Sequence, residues 1–185
     1  MSLLFTKQIE LGYKAPDFTL LEPLTDKYLS LQSLKGEKAT VVMFICNHCP
    51  YVKHINTALV KLANDYKDKQ ISFIAISSND VDNYPDDSPD LMAKTAKDLN
   101  YPFSYLYDEN QQVAKDYNAV CTPDFSIFNS DLDCVYRGQL DNSRPGNNIE
   151  VTGQDIRSVL ESILKNENIL QKQIPSAGCS IKWKK

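Results

Sequence analysis

Two cysteines, Cys46 and Cys49, are separated by two residues in the stretch Ile45-Cys46-Asn47-His48-Cys49-Pro50. The uncharged, mostly β-branched or large residues of 40–45 predict a buried strand before them, and the pattern from Pro50 onward predicts a helix after them. The first turn of a helix offers unpaired N–H groups and the positive end of the helix dipole, and both favour a thiolate. A C-x-x-C pair placed there can close a small disulfide ring, which is the chemistry of dithiol–disulfide exchange.

His48, inside this loop, is a candidate for tuning the reactive thiol, because a protonated imidazole would add positive charge beside a thiolate. The alternative is a loop residue that faces solvent and has no effect. His54, one turn into the predicted helix, is more simply read as a surface residue.

Two other interpretations of the cysteine pair remain open. Both thiols could be buried as small apolar residues, or they could form half of a zinc site. A zinc site of this kind normally adds a second C-x-x-C or an H-x-H pair, and the sequence contains neither. Redox chemistry is therefore favoured, with no metal assigned.

Length and composition limit the class of protein. A chain of 185 residues fits one domain, and a net charge of −4 argues against a nucleic-acid surface. No apolar run is long enough to cross a membrane, and the N-terminus lacks the basic start of a secretory signal. We therefore expect a cytoplasmic protein with neither nucleic-acid nor membrane partners, in which five cysteines serve as thiols rather than as a disulfide framework.

The order of predicted elements indicates an α/β fold. A buried strand, the helix after Cys49 and a second buried strand at 71–76 form a crossover unit, which requires parallel strands. Residues 125–128 and 135–138 predict a hairpin, and residues 79–89, rich in Asp and Pro, predict a solvated surface loop. The domain is expected to span residues 1–165, followed by a C-terminal tail, 166–185, with few core signals.

Several segments together resemble the thioredoxin superfamily and, within it, the redoxin (AhpC/TSA-like) branch. The start of the redoxin branch is matched by residues 12–20. A group of uncharacterised cytosolic thioredoxin-like proteins with a Cys-Asn-His-Cys centre is matched by residues 46–52, 107–117, 121–124 and 178–183. The resemblance covers about residues 6–165 for the fold. It implies a thioredoxin-like α/β fold, with a central mixed sheet flanked by helices, an N-terminal β-hairpin extension and a C-terminal tail.

The resemblance also assigns roles to individual residues. Cys46 matches the nucleophilic cysteine, Cys49 the resolving cysteine and Pro123 a cis-proline that faces the disulfide. Thr122 and Pro123 would then position a substrate through main-chain hydrogen bonds. The chain departs from thioredoxin at Ile45, where tryptophan is usual, and at Asn47-His48, where Gly-Pro is usual, so redox potential and partner choice do not carry over.

The three remaining cysteines have weaker assignments. Cys121 adjoins the expected cis-proline and is a candidate third redox thiol or metal ligand, although a buried small residue is an equal alternative. Cys134, at a strand start, is expected to be structural. Cys179, on the tail, could fold back onto the centre, pair between chains or remain an idle thiol.

The function expected from these observations is that of a thiol–disulfide oxidoreductase with no bound cofactor. Its partners would be a protein or small-molecule disulfide and a reductase that donates electrons; no G-x-G-x-x-G motif is present for direct use of a nicotinamide cofactor.

Two alternative functions are retained. One is a peroxiredoxin-type peroxidase, although that family has a threonine three residues before its reactive cysteine, where this chain has Met43. That family also uses a supporting arginine, and no motif in this chain shows which of Arg137, Arg144 and Arg157 would correspond to it. The other is a copper- or zinc-binding module built from Cys46 and Cys49 with His48 or Cys121.

Overall fold

The computed structural model describes residues 3–170 and 172–185, so the first two residues of the predicted domain and Gln171 of the predicted tail lie outside it. Within these ranges no helix combines the length and apolar character needed to cross a bilayer. The strands are β1 (Leu3–Phe5), β2 (Thr19–Glu22), β3 (Lys27–Ser30), β4 (Ala39–Phe44), β5 (Ile71–Ser77), β6 (Ser104–Tyr107), β7 (Cys121–Thr122), β8 (Asp124–Asn129), β9 (Cys134–Gly138) and β10 (Ala177–Ser180). The helices are α1 (Leu31–Leu34), α2 (Pro50–Tyr66), α3 (Pro89–Asp98), α4 (Gln112–Asp116) and α5 (Gln154–Lys165).

A seven-stranded mixed sheet forms the centre of the molecule, in the order β3-β2-β6-β5-β4-β8-β9. Strands β4, β5 and β6 run parallel, whereas β4–β8 and β8–β9 are antiparallel pairs. The predicted crossover unit, the hairpin of β8 and β9 and the N-terminal hairpin of β2 and β3 are all confirmed. The sheet therefore has the predicted thioredoxin-like arrangement.

Helices cover both faces of this sheet, which is why all six residues of β4 are buried. Side chains alternate along a strand, so Val41 and Met43 belong to the apolar cluster under α2 and α5, whereas Val42 and Phe44 belong to the cluster under α4. Each fully buried side chain of this size contributes about 1.5–3 kcal/mol by leaving water. The two clusters hold the end of β4, and with it Cys46, in a fixed position.

A second, three-stranded sheet is formed in the order β1-β10-β7, and the sequence did not predict it. Its middle strand comes from residues 166–185, which the sequence indicated to be a tail with few core signals. The strand was missed because Ala177-Gly178-Cys179-Ser180 carries no apolar alternation. It is ordered instead by main-chain pairing on both sides, with β1 and with β7.

Candidate active site

The two cysteines lie at the junction of β4 and α2. Ile45 extends the strand by one hydrogen bond, from its N–H to the carbonyl of Ile76 at 3.0 Å. Cys49 is the N-cap of α2, and its carbonyl accepts the hydrogen bond of Lys53 N–H at 3.0 Å. Pro50 occupies the first turn, where the absence of an N–H leaves no partner unsatisfied. The predicted strand–C-x-x-C–helix arrangement is therefore present.

Thr122 brings the cis-proline segment against both sulfurs. The Thr122–Pro123 peptide bond is cis, as the resemblance implied. Thr122 Oγ1 lies 3.4 Å from Cys46 Sγ, and Cys49 Sγ donates a hydrogen bond to the Thr122 carbonyl at 3.2 Å. Both cysteines are almost entirely covered, with 2% of Cys46 and none of Cys49 exposed. Only Cys46 keeps any exposed surface, and we refer to its sulfur as the outer sulfur of the pair.

The two thiols share a hydrogen bond, and this bond has the largest influence on the ionisation of both. With Cys46 as donor it lowers the pKa of Cys49, against the effect of burial and with help from Cys179 and the N–H of Val52, to about 4. The same bond, burial and the charge of Asp87 raise the pKa of Cys46 well above its usual value. The two shifts have opposite signs and one shared cause, so they describe the ionisation of the pair rather than of either thiol alone.

Asp87 is a residue of the candidate site that the sequence did not indicate. It comes from a 3₁₀ turn, Pro85–Asp87, and its carboxylate accepts hydrogen bonds from the N–H groups of Asn47 and His48 at 2.8 and 3.2 Å. It also contacts His48 Nδ1 at 2.5 Å and accepts from Asn79 Nδ2 at 2.8 Å. Burial alone would raise the pKa of Asp87, but these hydrogen bonds and the charge of His48 outweigh it and lower the pKa.

The prediction that residues 79–89 form a solvated loop is therefore wrong for its ends. Asn79, Asp80 and Asp87 are buried, whereas residues 82–86 are exposed. A buried carboxylate needs several donors, and Asp87 finds them in the Cys-Asn-His-Cys loop, which is distant in sequence. Only a prediction that this loop and residues 79–89 meet could have shown it.

His48 is oriented by Asp87 rather than by Cys46. The same nitrogen, Nδ1, lies 2.5 Å from Asp87 Oδ2 and 4.0 Å from Cys46 Sγ, so a proton on Nδ1 is directed to the carboxylate. The ring stacks on Tyr84 at a centroid distance of 5.5 Å, and Nε2 is buried without a hydrogen-bond partner. His48 thus lies beside the outer sulfur, where its charge can act on a thiolate.

Cys46, His48 and Asp87 could also hold a metal ion, because one ligand atom from each lies within 4.8 Å of the others. Thiolate, imidazole and carboxylate together suit zinc. Among the described residues this group includes neither Cys49 nor Cys121, both of which the sequence-based hypothesis offered as ligands.

The structure separates Cys121 and Cys134 from the pair and brings Cys179 to it. Cys121 Sγ faces Thr6 Oγ1 at 3.9 Å, and burial and Asp124 raise its pKa to about 12. Cys134 Sγ donates to the carbonyl of Tyr136 at 3.4 Å. Cys179, in β10, belongs to the same buried cluster as Cys46 and Cys49, and burial and then Cys49 raise its pKa to about 12. All five cysteines are present as thiols.

A buried ion pair supports the strand that follows the cis-proline. Asp124 Oδ2 accepts from Arg137 Nη2 at 2.9 Å, and both side chains are 1% exposed. Burial raises the pKa of Asp124 to about 7, against the lowering effect of Arg137. The guanidinium also donates to three main-chain carbonyls and to the Ser126 hydroxyl. Arg137 is therefore tied to the structure behind the site, and its hydrogen bonds do not include Cys46.

Replacing Asp87 by asparagine is expected to lower the pKa of Cys46, because the substitution removes a negative charge that disfavours the thiolate. The measurement is the pH profile of iodoacetamide alkylation of Cys46 in a C49S background. Each unit by which the pKa falls raises the thiolate fraction about tenfold at a pH well below the pKa. Asp86→Asn is the matched control, because the neighbouring Asp86 is exposed. Equal profiles for D87N and D86N would contradict the role given to Asp87.

Taken together, the geometry defines a dithiol centre on a thioredoxin-like fold. The chain belongs to the AhpC/TSA family, whose family model matches residues 11–137. Family membership and this fold support a redox role. No protein with a curated description gives a match.

Solved structures extend this comparison over the whole chain. An uncharacterized conserved protein from Geobacillus kaustophilus is 55% identical, with a TM-score of 0.98 over 100% of this chain and 97% of that one. A hypothetical protein from Sinorhizobium meliloti is 39% identical, with a TM-score of 0.95 over 97% and 98%. The thioredoxin domain of a thiol-disulfide oxidoreductase from Bacteroides vulgatus is 18% identical, with a TM-score of 0.62 over 81% and 97%, and so shares the fold.

Proposed function

We propose that this protein is a thiol–disulfide oxidoreductase that reduces a disulfide substrate through Cys46 and Cys49. The observation that carries the proposal is the contact of two hydrogen-bonded thiols with each other and with Thr122, at the junction of β4 and α2. A cytoplasmic location belongs to the same proposal, with a protein or small-molecule disulfide as substrate and a separate reductase as electron donor.

The reaction begins with a proton shift within the pair. Moving the shared proton from Cys46 to Cys49 places the thiolate on the outer sulfur, beside His48 and the Thr122 hydroxyl. The Cys46 thiolate attacks one substrate sulfur, the substrate S–S bond breaks, and the other substrate half leaves as a thiolate that takes up a proton. A mixed disulfide now joins Cys46 to the remaining half.

Cys49 completes the reaction. Cys49 gives up the proton that it received, which can pass to the departing first half, and its thiolate attacks Cys46 Sγ. The mixed disulfide breaks, and the second substrate half leaves as a thiolate that is then protonated. Two electrons have passed to the substrate, and the protein holds a Cys46–Cys49 disulfide. The factors that lower the pKa of Cys49, above all the hydrogen bond from a neighbouring thiol, keep the resolving sulfur ready to ionise.

The experiment that tests these roles is trapping with 5,5′-dithiobis(2-nitrobenzoate). We expect C49S to accumulate a thionitrobenzoate adduct on Cys46, because no second sulfur can resolve it. The wild type should instead release both halves of the reagent and form an internal disulfide. An adduct that accumulates on Cys49 in C46S, with none on Cys46 in C49S, would show that the roles are reversed.

Peroxide reduction is the second candidate, because the family match includes the segment that carries Cys46. The contacts of Cys46 argue against it. Among the residues that the structure describes, Cys46 Sγ contacts His48 and Thr122, whereas the candidate arginine Arg137 is held by Asp124. Rapid peroxide turnover that is lost in C46S would rank this candidate first.

A further inference from the structure

The C-terminal strand β10 lies directly against the cis-proline segment. Its register places Cys179 opposite Thr122 and Ser180 opposite Cys121. Thr122 is also the residue that contacts both Cys46 and Cys49. The main chain that the resemblance assigns to substrate positioning therefore pairs with the chain's own C-terminal strand.

Gly178 allows this close approach. A Cβ atom at position 178 would lie 1.9 Å from the Thr122 carbonyl oxygen, which no side chain can satisfy without a shift of the backbone. The neighbouring residue, Cys179, is thereby brought into the buried cluster that contains Cys46, Cys49 and Val52 of α2. Burial and then Cys49 raise the pKa of the Cys179 thiol to about 12, which fits this proximity. Cys49 thus lies between two thiols, Cys46 and Cys179.

Hydrogen bonds on both sides of β10 hold this position. Before the strand, Ser176 Oγ donates to the Pro123 carbonyl at 2.7 Å. After it, Ile181 N–H donates to the Val120 carbonyl at 2.9 Å, and Lys182 N–H donates to Asn79 Oδ1 at 2.8 Å. A thiol fixed beside a disulfide reacts at a high effective concentration.

We propose that Cys179 is a third redox thiol of this centre, which exchanges with the Cys46–Cys49 disulfide to give a Cys49–Cys179 disulfide and free Cys46. The inference rests on the proposed function, which supplies the first disulfide. The Cys179 thiol loses its proton, and the thiolate attacks Cys49 Sγ. The Cys46–Cys49 bond breaks, and Cys46 leaves as a thiolate that takes up a proton. No further oxidant is needed, because one disulfide replaces another.

The exchange regenerates the attacking sulfur while the centre remains oxidised. Cys46, the outer thiol, becomes available to react with a second disulfide substrate. The protein's own disulfide is kept in the buried interior, between Cys49 and Cys179. Because Cys179 belongs to β10, a Cys49–Cys179 bond would also join the C-terminal strand covalently to helix α2.

The first test uses C46S, in which Cys49 and Cys179 can pair without Cys46. Oxidation with diamide, an azo compound that takes two electrons and two protons from a pair of thiols, is expected to cross-link most chains between Cys49 and Cys179. Peptide mass spectrometry after acid quenching detects the bond. C46S/C134S is the matched control that should still cross-link, and C46S/C179S is the control that should not. Complete alkylation of Cys49 and Cys179 in oxidised C46S would overturn the proposal.

The second test follows the exchange in the wild type, oxidised with glutathione disulfide. We expect about a tenth or more of the oxidised chains to carry the Cys49–Cys179 bond together with alkylated Cys46, which corresponds to two disulfides of similar stability. Full alkylation of Cys179 in every oxidised chain, with Cys46–Cys49 as the disulfide that these chains carry, would overturn this inference and leave the proposed function standing. Failure of Cys46–Cys49 to form, with Cys49–Cys179 formed in C46S, would overturn the proposed function instead.

Discussion

Cys46→Ser is expected to lower the rate of disulfide reduction by more than about a thousandfold, because hydroxyl oxygen cannot form the mixed disulfide on which both steps depend. The assay follows the reduction of insulin disulfides with dithiothreitol as electron donor. Activity should fall to the rate of dithiothreitol alone, since Cys49 is fully covered and cannot replace the outer sulfur.

Cys134→Ser provides the matched control for this change. Cys134 is also a buried thiol, but it lies at the start of β9 and bonds to the carbonyl of Tyr136. Replacing Cys134 should leave the rate of disulfide reduction within a factor of about two of the wild-type rate, although this variant also exchanges a buried sulfur for oxygen. If C46S kept a tenth of the wild-type rate, the outer sulfur would not be the nucleophile.

Arg137→Met should lower the free energy of unfolding by about 3–5 kcal/mol, which is the cost of breaking a buried ion pair from one side. The substitution removes every donor of the guanidinium. It leaves Asp124 and the carbonyls of Lys7, Tyr117 and Asn118 without those hydrogen bonds. Urea unfolding at about pH 8.5, above the pKa of about 7 of Asp124, measures the loss.

The matched control is Arg157→Met, at an arginine that also forms an ion pair with a carboxylate. Arg157 contacts Asp65 at 2.7 Å, but these side chains are 26% and 40% exposed, so water replaces the lost contact. We expect a change within about 0.5 kcal/mol for that variant. Equal losses for R137M and R157M would contradict the structural role given to the buried pair.

The sequence predicted the elements whose patterns are local. A local pattern was sufficient to predict three elements. They are the apolar run that forms β4, the three- and four-residue spacing of apolar residues along α2, and the Cys-Asn-His-Cys loop between them. The positions of Cys46 and Cys49 at the strand–helix junction follow directly. The resemblance supplied what the local pattern could not, the cis bond before Pro123.

Two placements depend on contacts between distant segments: that of Asp87, which the sequence did not indicate, and that of Cys179, whose return to the centre was one of three alternatives. Asp87 resembles any other aspartate of an acidic loop until the N–H groups of Asn47 and His48 are brought to it. Cys179 lies in a segment without apolar periodicity, and its place beside Cys49 follows from strand pairing 57 positions along the chain from Thr122. Neither contact can be predicted from the spacing of residue types along the chain.

Redox titration of the wild-type protein in glutathione buffers, with acid quenching and mass spectrometry of each thiol, tests the central claim most directly. The account predicts that Cys49 loses its thiol in a two-electron transition together with Cys46, or with Cys179 in the chains that have exchanged, while Cys121 and Cys134 remain alkylatable throughout. The two-electron midpoint would also distinguish a reductant from an oxidant. A Cys46 thiol that stays alkylatable across the whole range, in folded protein, would contradict the exchange mechanism.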